Sequence, residues 1–379
     1  MTSSVALDMP APPTFTERIW RINWGLVLVL TAIAGIGAVA LYSAAGGRYD
    51  PWAARHVIRY GGALALLLVV ALVHPKVWRT LAWPIYISSM ALLVAVDLMG
   101  KTGLGAQRWL MVGPLQIQPS EIAKVAMILV LARYYDGLSR QQAMRFVYAL
   151  PPLLVILAPV ALVMMQPDLG TALMLLLGGA ALLFVAGVRL WMFLAAAVAA
   201  IGCLPVAWSF MHEYQRKRVL TFLDPDRDPL GAGYHITQSK IAIGSGGLFG
   251  KGFLQGTQSS LNFLPEKQTD FIFTTYVEEW GLIGAGVLLV LFALVLVWGF
   301  SIALRSQHHF GRLVALGVTA MMFLYVFINT AMVMGLLPVV GVPLPLVSNG
   351  GTAMVSVMFA CGLLIGVNVY RDALMSLPR

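Results

Sequence analysis

The stretch "LPEKQTDFIFTTYVEEWGLIGAGVLLVLFALVLVWGFSI", residues 264–302, decides the fold. Five polar residues, Glu266 to Asp270, give way at Phe271 to an apolar run whose only charges are Glu278 and Glu279. Such a run exceeds the roughly 20 residues with which a helix crosses a bilayer. It predicts a membrane span over 271–302 and sets Asp270 at the seam between water and an oily helix. A carboxylate in that place asks for a reason.

The rest of the chain repeats the pattern. Of 379 residues, 59% are hydrophobic and only 11% charged, with mean hydropathy +0.84. Soluble domains are about 45–50% apolar and about 25% charged, so the composition is that of a polytopic membrane protein. Windows of about 20 residues give ten spans, at 22–44, 55–74, 77–99, 119–136, 145–166, 168–187, 189–209, 271–302, 311–335 and 352–370. The fold class expected is therefore all-α and polytopic, with about ten transmembrane helices. One long folded extracytoplasmic loop, about 210–270, joins the seventh to the eighth. Residues 1–21 read as a short disordered cytoplasmic tail and 22–379 as a single transmembrane domain.

Orientation follows from the basic residues of the short loops. A cytoplasmic N-terminus collects Arg18, Arg21, Lys76, Arg79, Arg133, Arg140, Arg145, Arg189, Arg305, Arg312, Arg371 and Arg379 on its own side. Only Arg48, Arg55, Arg59, Lys101 and Arg108 fall opposite, so both termini are expected inside. The first apolar run is too long for a cleaved signal and reads as a retained span. Cys203 and Cys361 both lie in predicted spans and form no CxxC pair. The net charge of +9 is spread along loop edges, where anionic lipid explains it better than nucleic acid does.

The long loop interleaves aromatic and aliphatic residues with glycines, which argues for a folded segment. "HITQSKIAIGSG" (235–246) suits an amphipathic surface helix, with Ile236, Ile241 and Ile243 turned toward lipid or protein. "SGGLFGKG" (245–252) resembles a phosphate loop but lacks Gly at Ser245 and Ser or Thr at Gly252. "DPDRDP" (224–229) spaces Asp224, Asp226 and Asp228 like a calcium loop, yet Pro229 and His235 stand where Gly and Glu are needed, so a turn is expected. "QRKR" (215–218) is either a solvated basic patch or a clamp for a phosphorylated substrate, built from Arg216, Lys217 and Arg218.

Polar residues within spans are expensive and mark function by default. Glu121 and Lys124 in "QPSEIAKVAM" share one face, one turn inside the fourth span, behind Pro119 at a first helical position. An internal ion pair is the plainer reading and a functional cavity the sharper one. Asp168 in "QPDLGTALM" suits a helix N-cap. "PLPLVSNGG" (343–351) joins prolines, Ser348, Asn349 and a glycine pair before the last span. Glu278 and Glu279 cannot both face lipid.

"GAQRWL" (105–110), "QPSEIAK" (118–124), "QPDLGT" (166–171), the run from Gly231 to Phe273 and "PLPLVSNGG" together resemble the motif series of the SEDS family. These are the membrane glycosyltransferases of shape, elongation, division and sporulation. The resemblance spans nearly the whole chain in order, and "QSKIAIGSGG" with "GKG" and "GTQ" is closest to its RodA-like elongation branch. One departure stands in the last motif, where the family usually has an aromatic at the place of Asn349.

The resemblance implies a peptidoglycan glycosyltransferase of the bacterial cytoplasmic membrane that polymerises lipid II into glycan strands. It implies a class B penicillin-binding protein (PBP2-like) as partner within the elongation machinery, and the family's catalytic Asp falls on Asp270. Chemistry supplies the reason for a carboxylate there. A sugar hydroxyl attacks an anomeric carbon that carries a pyrophosphate, so one carboxylate must take a proton, and burial at a membrane edge favours a carboxylate as base. The leaving pyrophosphate needs positive charge rather than a second acid. Arg216, Arg218 and Lys124 are its candidate binders, with Glu121 positioning Lys124. A divalent cation such as Mg2+ is a further candidate, and no nucleotide cofactor is expected.

Trp109, Arg108, Asp168 and Ser348 are candidates for cavity wall and support. Glu266 and His235 are rival bases by chemistry alone, and a helix cap is the plainer reading of Asp270. Two other classes remain open at this point. A transporter of lipid-linked precursor would need the intramembrane charges and not Asp270. A non-catalytic scaffold for the cross-linking enzyme would keep its partner without any reaction.

Overall fold

The computed structural model describes residues 14–103, 106–112, 115–210, 213–224, 231–261, 263–264 and 266–372. The helices in chain order are α1 (Phe15–Trp20), α2 (Trp24–Ala44), α3 (Ala53–Leu72), α4 (Pro75–Met99), α5 (Pro119–Asp136), α6 (Arg140–Ala143), α7 (Leu150–Met165), α8 (Leu169–Val185) and α9 (Leu190–Phe210). They continue with α10 (Glu213–Leu223), α11 (Ala232–Gly246), α12 (Thr257–Ser260), α13 (Ile272–Arg305), α14 (His309–Val333) and α15 (Gly351–Val369).

Each of the ten apolar stretches falls on one of these helices. Among the described residues, seven segments are long and apolar enough to cross a membrane: α2, α3, α4, Phe146–Met165, α13, α14 and α15. α8 and the Leu190–Cys203 part of α9 are shorter apolar helices. α5 carries Glu121, Lys124, Arg133 and Asp136 within 18 residues, yet it is buried almost throughout. It packs against α4, α7, α8 and α14. A helix enclosed by protein on all sides can hold charge that lipid would not tolerate.

Three expectations need correction. The chain is not purely α-helical: β1 (Lys101–Gly103), β2 (Ala106–Val112) and β3 (Leu115–Ile117) form an antiparallel sheet in the order β1-β2-β3 between α4 and α5. Lys101 stands opposite Trp109, and Leu110 opposite Ile117. The tail expected to be disordered through residue 21 instead forms α1, because Thr14 and Glu17 close a capping box. Residues 1–13 lie outside the described residues.

The third correction concerns the opening stretch, which is not one straight helix. Gly281 has φ 67° and ψ −164°, so α13 is a short helix, 272–280, followed by a long one from Leu282. The segment "GLFGKG" (247–252) closes this break. Lys251 N and Gly252 N donate to the carbonyls of Glu278 and Glu279 at 3.0 and 3.1 Å. On the other side, Leu282 N and Ile283 N donate to the carbonyls of Gly247 and Leu248 at 2.9 and 3.1 Å. Helix ends leave such groups orphaned, and non-helical backbone at membrane depth survives only where protein satisfies it. The glycines that imitate a phosphate loop therefore serve close approach. A Cβ at Gly250 would lie 2.0 Å from the Glu279 carbonyl oxygen.

The long loop is folded, as its composition predicts: α10, α11 and α12 lie within it, and α11 packs along α13. Ile236 is buried and Ile243 packs on the core, whereas Ile241 is exposed. Asp226 and Asp228 lie outside the described residues.

Candidate active site

Asp270 is half-buried immediately before α13, whose N-cap position falls on Phe271 rather than on the aspartate. Its surroundings fix the backbone on both sides. Ser348 Oγ donates to the Thr269 carbonyl at 2.6 Å, and Asn329 Nδ2 donates to the Asp270 carbonyl at 3.0 Å. The same Asn329 nitrogen holds the Val342 carbonyl at 2.7 Å, and Leu344 N donates to Ser348 Oγ at 2.8 Å. Asn349 N donates to the Gln268 carbonyl at 2.8 Å. The loop before α15 is thus stitched to residues 268–270. A Cβ on Gly341 would stand 3.4 Å from Asp270 Oδ2, so the loop meets the carboxylate with bare backbone. Asn349, the departure from the family pattern, accepts from Arg59 Nη1 at 3.2 Å and ties the loop to α3.

The rival base Glu266 is occupied by its own turn. Its Oε2 accepts from Thr269 Oγ1 at 2.9 Å and from Gln268 Nε2 at 3.4 Å, while its carbonyl receives Thr269 N and Phe271 N. His235 lies with its ring 6.2 Å from that of Phe271, beside the aspartate in sequence. Lys267 donates to the Ser259 carbonyl at 2.8 Å, and burial lowers its pKa.

Below this seat lies the buried ion pair. Lys124 Nζ donates to Glu121 Oε1 at 2.7 Å and to the Tyr325 hydroxyl, and stands 4.3 Å from the centre of the Tyr325 ring. Tyr325 donates to Glu121 Oε2 at 2.6 Å and Ser356 Oγ to the same oxygen at 2.9 Å. The adjoining cavity, lined also by Val125, Met321 and Val357, measures about 20 Å³. That volume holds about one water molecule. Tyr325 and Asn329 are four residues apart on α14, so one helix face carries both clusters and stacks them one turn apart.

Asp168 caps α8, accepting from Thr171 N at 3.2 Å and Thr171 Oγ1 at 2.9 Å. It also pairs with Arg108 Nε at 3.7 Å, and Arg108 holds the Pro167 carbonyl. Gln118, at the start of α5, reaches Asp168 Oδ2 at 3.5 Å, which joins this flank to the helix of Glu121 and Lys124. Trp109 is half-buried on β2.

Six of the predicted residues, Asp270, Ser348, Glu121, Lys124, Asp168 and Arg108, are therefore linked through α5, α14 and the loop before α15. Arg216 is placed elsewhere. Its Nε and Nη2 donate to the carbonyls of Trp208 and Ser209 at 2.9 and 2.8 Å, at the C-terminal end of α9, where cations are favoured. The side chains of Lys217 and Arg218 lie outside what is described.

The family model described as "Cell cycle protein", covering FtsW, RodA and SpoVE, matches residues 21–373. This chain belongs to the SEDS family. It is 44% identical over 369 residues to the peptidoglycan glycosyltransferase MrdB of Escherichia coli K12, covering 97% of this chain and 98% of that protein. A chain solved in a peptidoglycan synthase complex that coordinates polymerization and crosslinking superposes with a TM-score of 0.80 at 34% identity. That match covers 92% of this chain and 98% of the other. The rod shape determining protein RodA of Thermus thermophilus gives 0.69 at 31% identity, over 92% and 97%. The resemblance read from the motifs is borne out.

Several residues that build this SEDS site escaped the sequence reading. Asn329 and Tyr325 were single polar groups in the apolar run "MMFLYVFINTAMV", and a lone amide in a span is itself a signal. Ser356 and Arg59 carried no local pattern that singled them out, and Lys251 reads only as part of the "GKG" motif, with no role of its own. Among the described residues no three His, Cys, Asp or Glu side chains stand together. That count does not bear on Mg2+, which commonly takes one or two carboxylates and completes its shell from phosphates and water.

Proposed function

We propose that this protein is a peptidoglycan glycosyltransferase that polymerises lipid II at the outer face of the cytoplasmic membrane during cell elongation, with Asp270 as general base. The seat of Asp270 carries the reading. The carboxylate stands just before the short helix 272–280 that leads into a membrane helix, and its backbone is fixed from two sides by Ser348 and Asn329. A base so placed meets a substrate whose lipid lies in the bilayer and whose sugars lie at its surface. The attacking hydroxyl oxygen forms the glycosidic bond while its proton passes to an Asp270 oxygen. The bond from the anomeric carbon to pyrophosphate breaks, and the leaving group departs with the electron pair.

Charge for the pyrophosphate is assigned to Arg108, with Arg216 and Arg218 on α10 completing it, and to Lys124, whose contribution requires its enclosed pair with Glu121 to open. Two Arg216 donors are engaged at α9, so its contribution requires the guanidinium to leave that helix end. Glu121 positions Lys124, and Asp168 holds Arg108. Trp109 on β2 is assigned to the wall of the substrate cleft. No step here is routed through a metal. The ten helices are read as ten crossings, with both termini cytoplasmic and residues 210–270 outside, on the strength of the basic loops. A class B penicillin-binding protein is the partner that cross-links the strands. The solved relative from a complex coordinating polymerization and crosslinking supports that assignment. The cavity at Glu121 and Lys124, about 20 Å³, holds about one water molecule and is too small for a lipid-linked saccharide.

The test is a pair of assays on purified protein with its presumed partner, transpeptidase blocked: polymer length on a gel and lipid II movement across vesicles. The reading predicts polymer without transport. Transport without polymer would replace it with a flippase, and partner binding with neither would leave a scaffold.

A further inference from the structure

The break at Gly281 cuts the short helix 272–280 off from the membrane helix that follows, so the direction of that helix is not inherited from the bundle. Asp270 stands just before its first turn. Apart from the neutral backbone bonds of the clip, the contact that ties the clip to this helix is ionic. Lys251 Nζ donates to Glu278 Oε1 at 2.8 Å. Thr257 Oγ1 and Gln258 N donate to the same oxygen, each at 3.0 Å. The Glu278 side chain is fully enclosed, its Oε2 has no hydrogen-bond partner, and Lys251 keeps a quarter of its own surface. Its neighbour Glu279 receives a hydrogen bond from Ser43, at the end of α2.

A carboxylate taken wholly out of water needs a counter-charge to stay in place. Without Lys251, Glu278 would keep only neutral donors. Turning toward water would then rotate the short helix and carry residues 269–272 with it. We propose that Lys251 is a positioning residue for glycosyl transfer, acting on the Asp270 carboxylate through Glu278 and the helix 272–280. The inference rests on Asp270 being the base. It gives the "GKG" motif a role that phosphate binding does not.

The experiment compares full-length Lys251→Met, Lys251→Arg, Lys251→Met combined with Glu278→Gln, and Asp270→Asn for lipid II polymerisation, with kcat and KM separated and folding checked by thermal unfolding. A displacement of about 1 Å at a reacting group costs roughly 100-fold in rate, so Lys251→Met should lose about 10- to 100-fold in kcat with KM within about twofold. Lys251→Arg should recover most of that loss. Glu278→Gln, which keeps an acceptor for Thr257 and Gln258 and needs no counter-charge, should recover much of the loss when combined with Lys251→Met. Folded Lys251→Met with wild-type kcat, or a double variant as slow as Lys251→Met alone, would overturn the proposal. So would a loss that only tracks the fraction of unfolded protein and is not recovered by arginine. If Asp270→Asn is inactive while Lys251→Met keeps wild-type kcat, only this inference falls. An active Asp270→Asn would remove the base assignment as well.

Discussion

Replacing Gly281 with alanine should be far more damaging than the same change five residues later at Gly286. Gly281 holds φ 67° and ψ −164°, a region essentially reserved for glycine, and forcing another residue there costs about 1–3 kcal/mol. The new Cβ would also stand 2.3 Å from Gly250 N and 2.5 Å from the Leu248 carbonyl oxygen, so the clip must retreat. Retreat weakens four backbone hydrogen bonds worth about 0.5–1.5 kcal/mol each. Loss of half of them adds about 1–3 kcal/mol and brings the total to about 2–6 kcal/mol, less about 0.5–1 kcal/mol regained from the stiffer unfolded chain. The net of about 1–5 kcal/mol, at about 2–4 °C per kcal/mol, should lower Tm by about 2–20 °C. Gly286 has ordinary helical geometry and nothing within 4 Å of an added Cβ, so Gly286→Ala should leave Tm unchanged or raise it slightly. Unfolding in detergent micelles, followed by tryptophan fluorescence, reads both. Equal Tm values for the two variants would refute the account of the broken helix.

Other consequences follow from the same contacts. Ser348→Ala leaves the Thr269 carbonyl and Leu344 N without their partner and should cost about 1–3 kcal/mol, with slower polymerisation at unchanged expression. Lys124→Met strands a buried Glu121 and should destabilise by about 3–5 kcal/mol, and Lys124→Met combined with Glu121→Gln should recover much of it in thermal unfolding. Asp168→Ala removes the α8 cap and the partner of Arg108, for an expected loss of about 1–2 kcal/mol from the cap alone, visible as a lower Tm.

Much of this was legible in the sequence because lipid imposes a simple rule on long apolar runs. The ten stretches needed only length and hydropathy, and Glu121 with Lys124 needed only the i, i+3 spacing. What was missed depends on contacts between distant segments. Nothing local reports that residues 247–252 close the break at Gly281, a pairing across about 30 residues of chain that the backbone's orphan groups enforce. Arg216 looked free for an anion, but the carbonyls ending α9 stand closer to it. The sheet between α4 and α5 was hidden by its brevity, although "KTGLGAQRWLMVGPLQI" does carry Gly and Gly-Pro turn signals in its sequence. Asn349, marked as a departure, lost an aromatic and gained a hydrogen bond to Arg59.

The most direct test of the central claim is lipid II polymerisation by the purified protein with its transpeptidase partner blocked, wild type against Asp270→Asn, with strands resolved on a gel. The account predicts a polymer ladder from the wild type and none from the variant, at matched folding and partner binding. Equal ladders from both would contradict it and move the proton acceptor away from the start of α13.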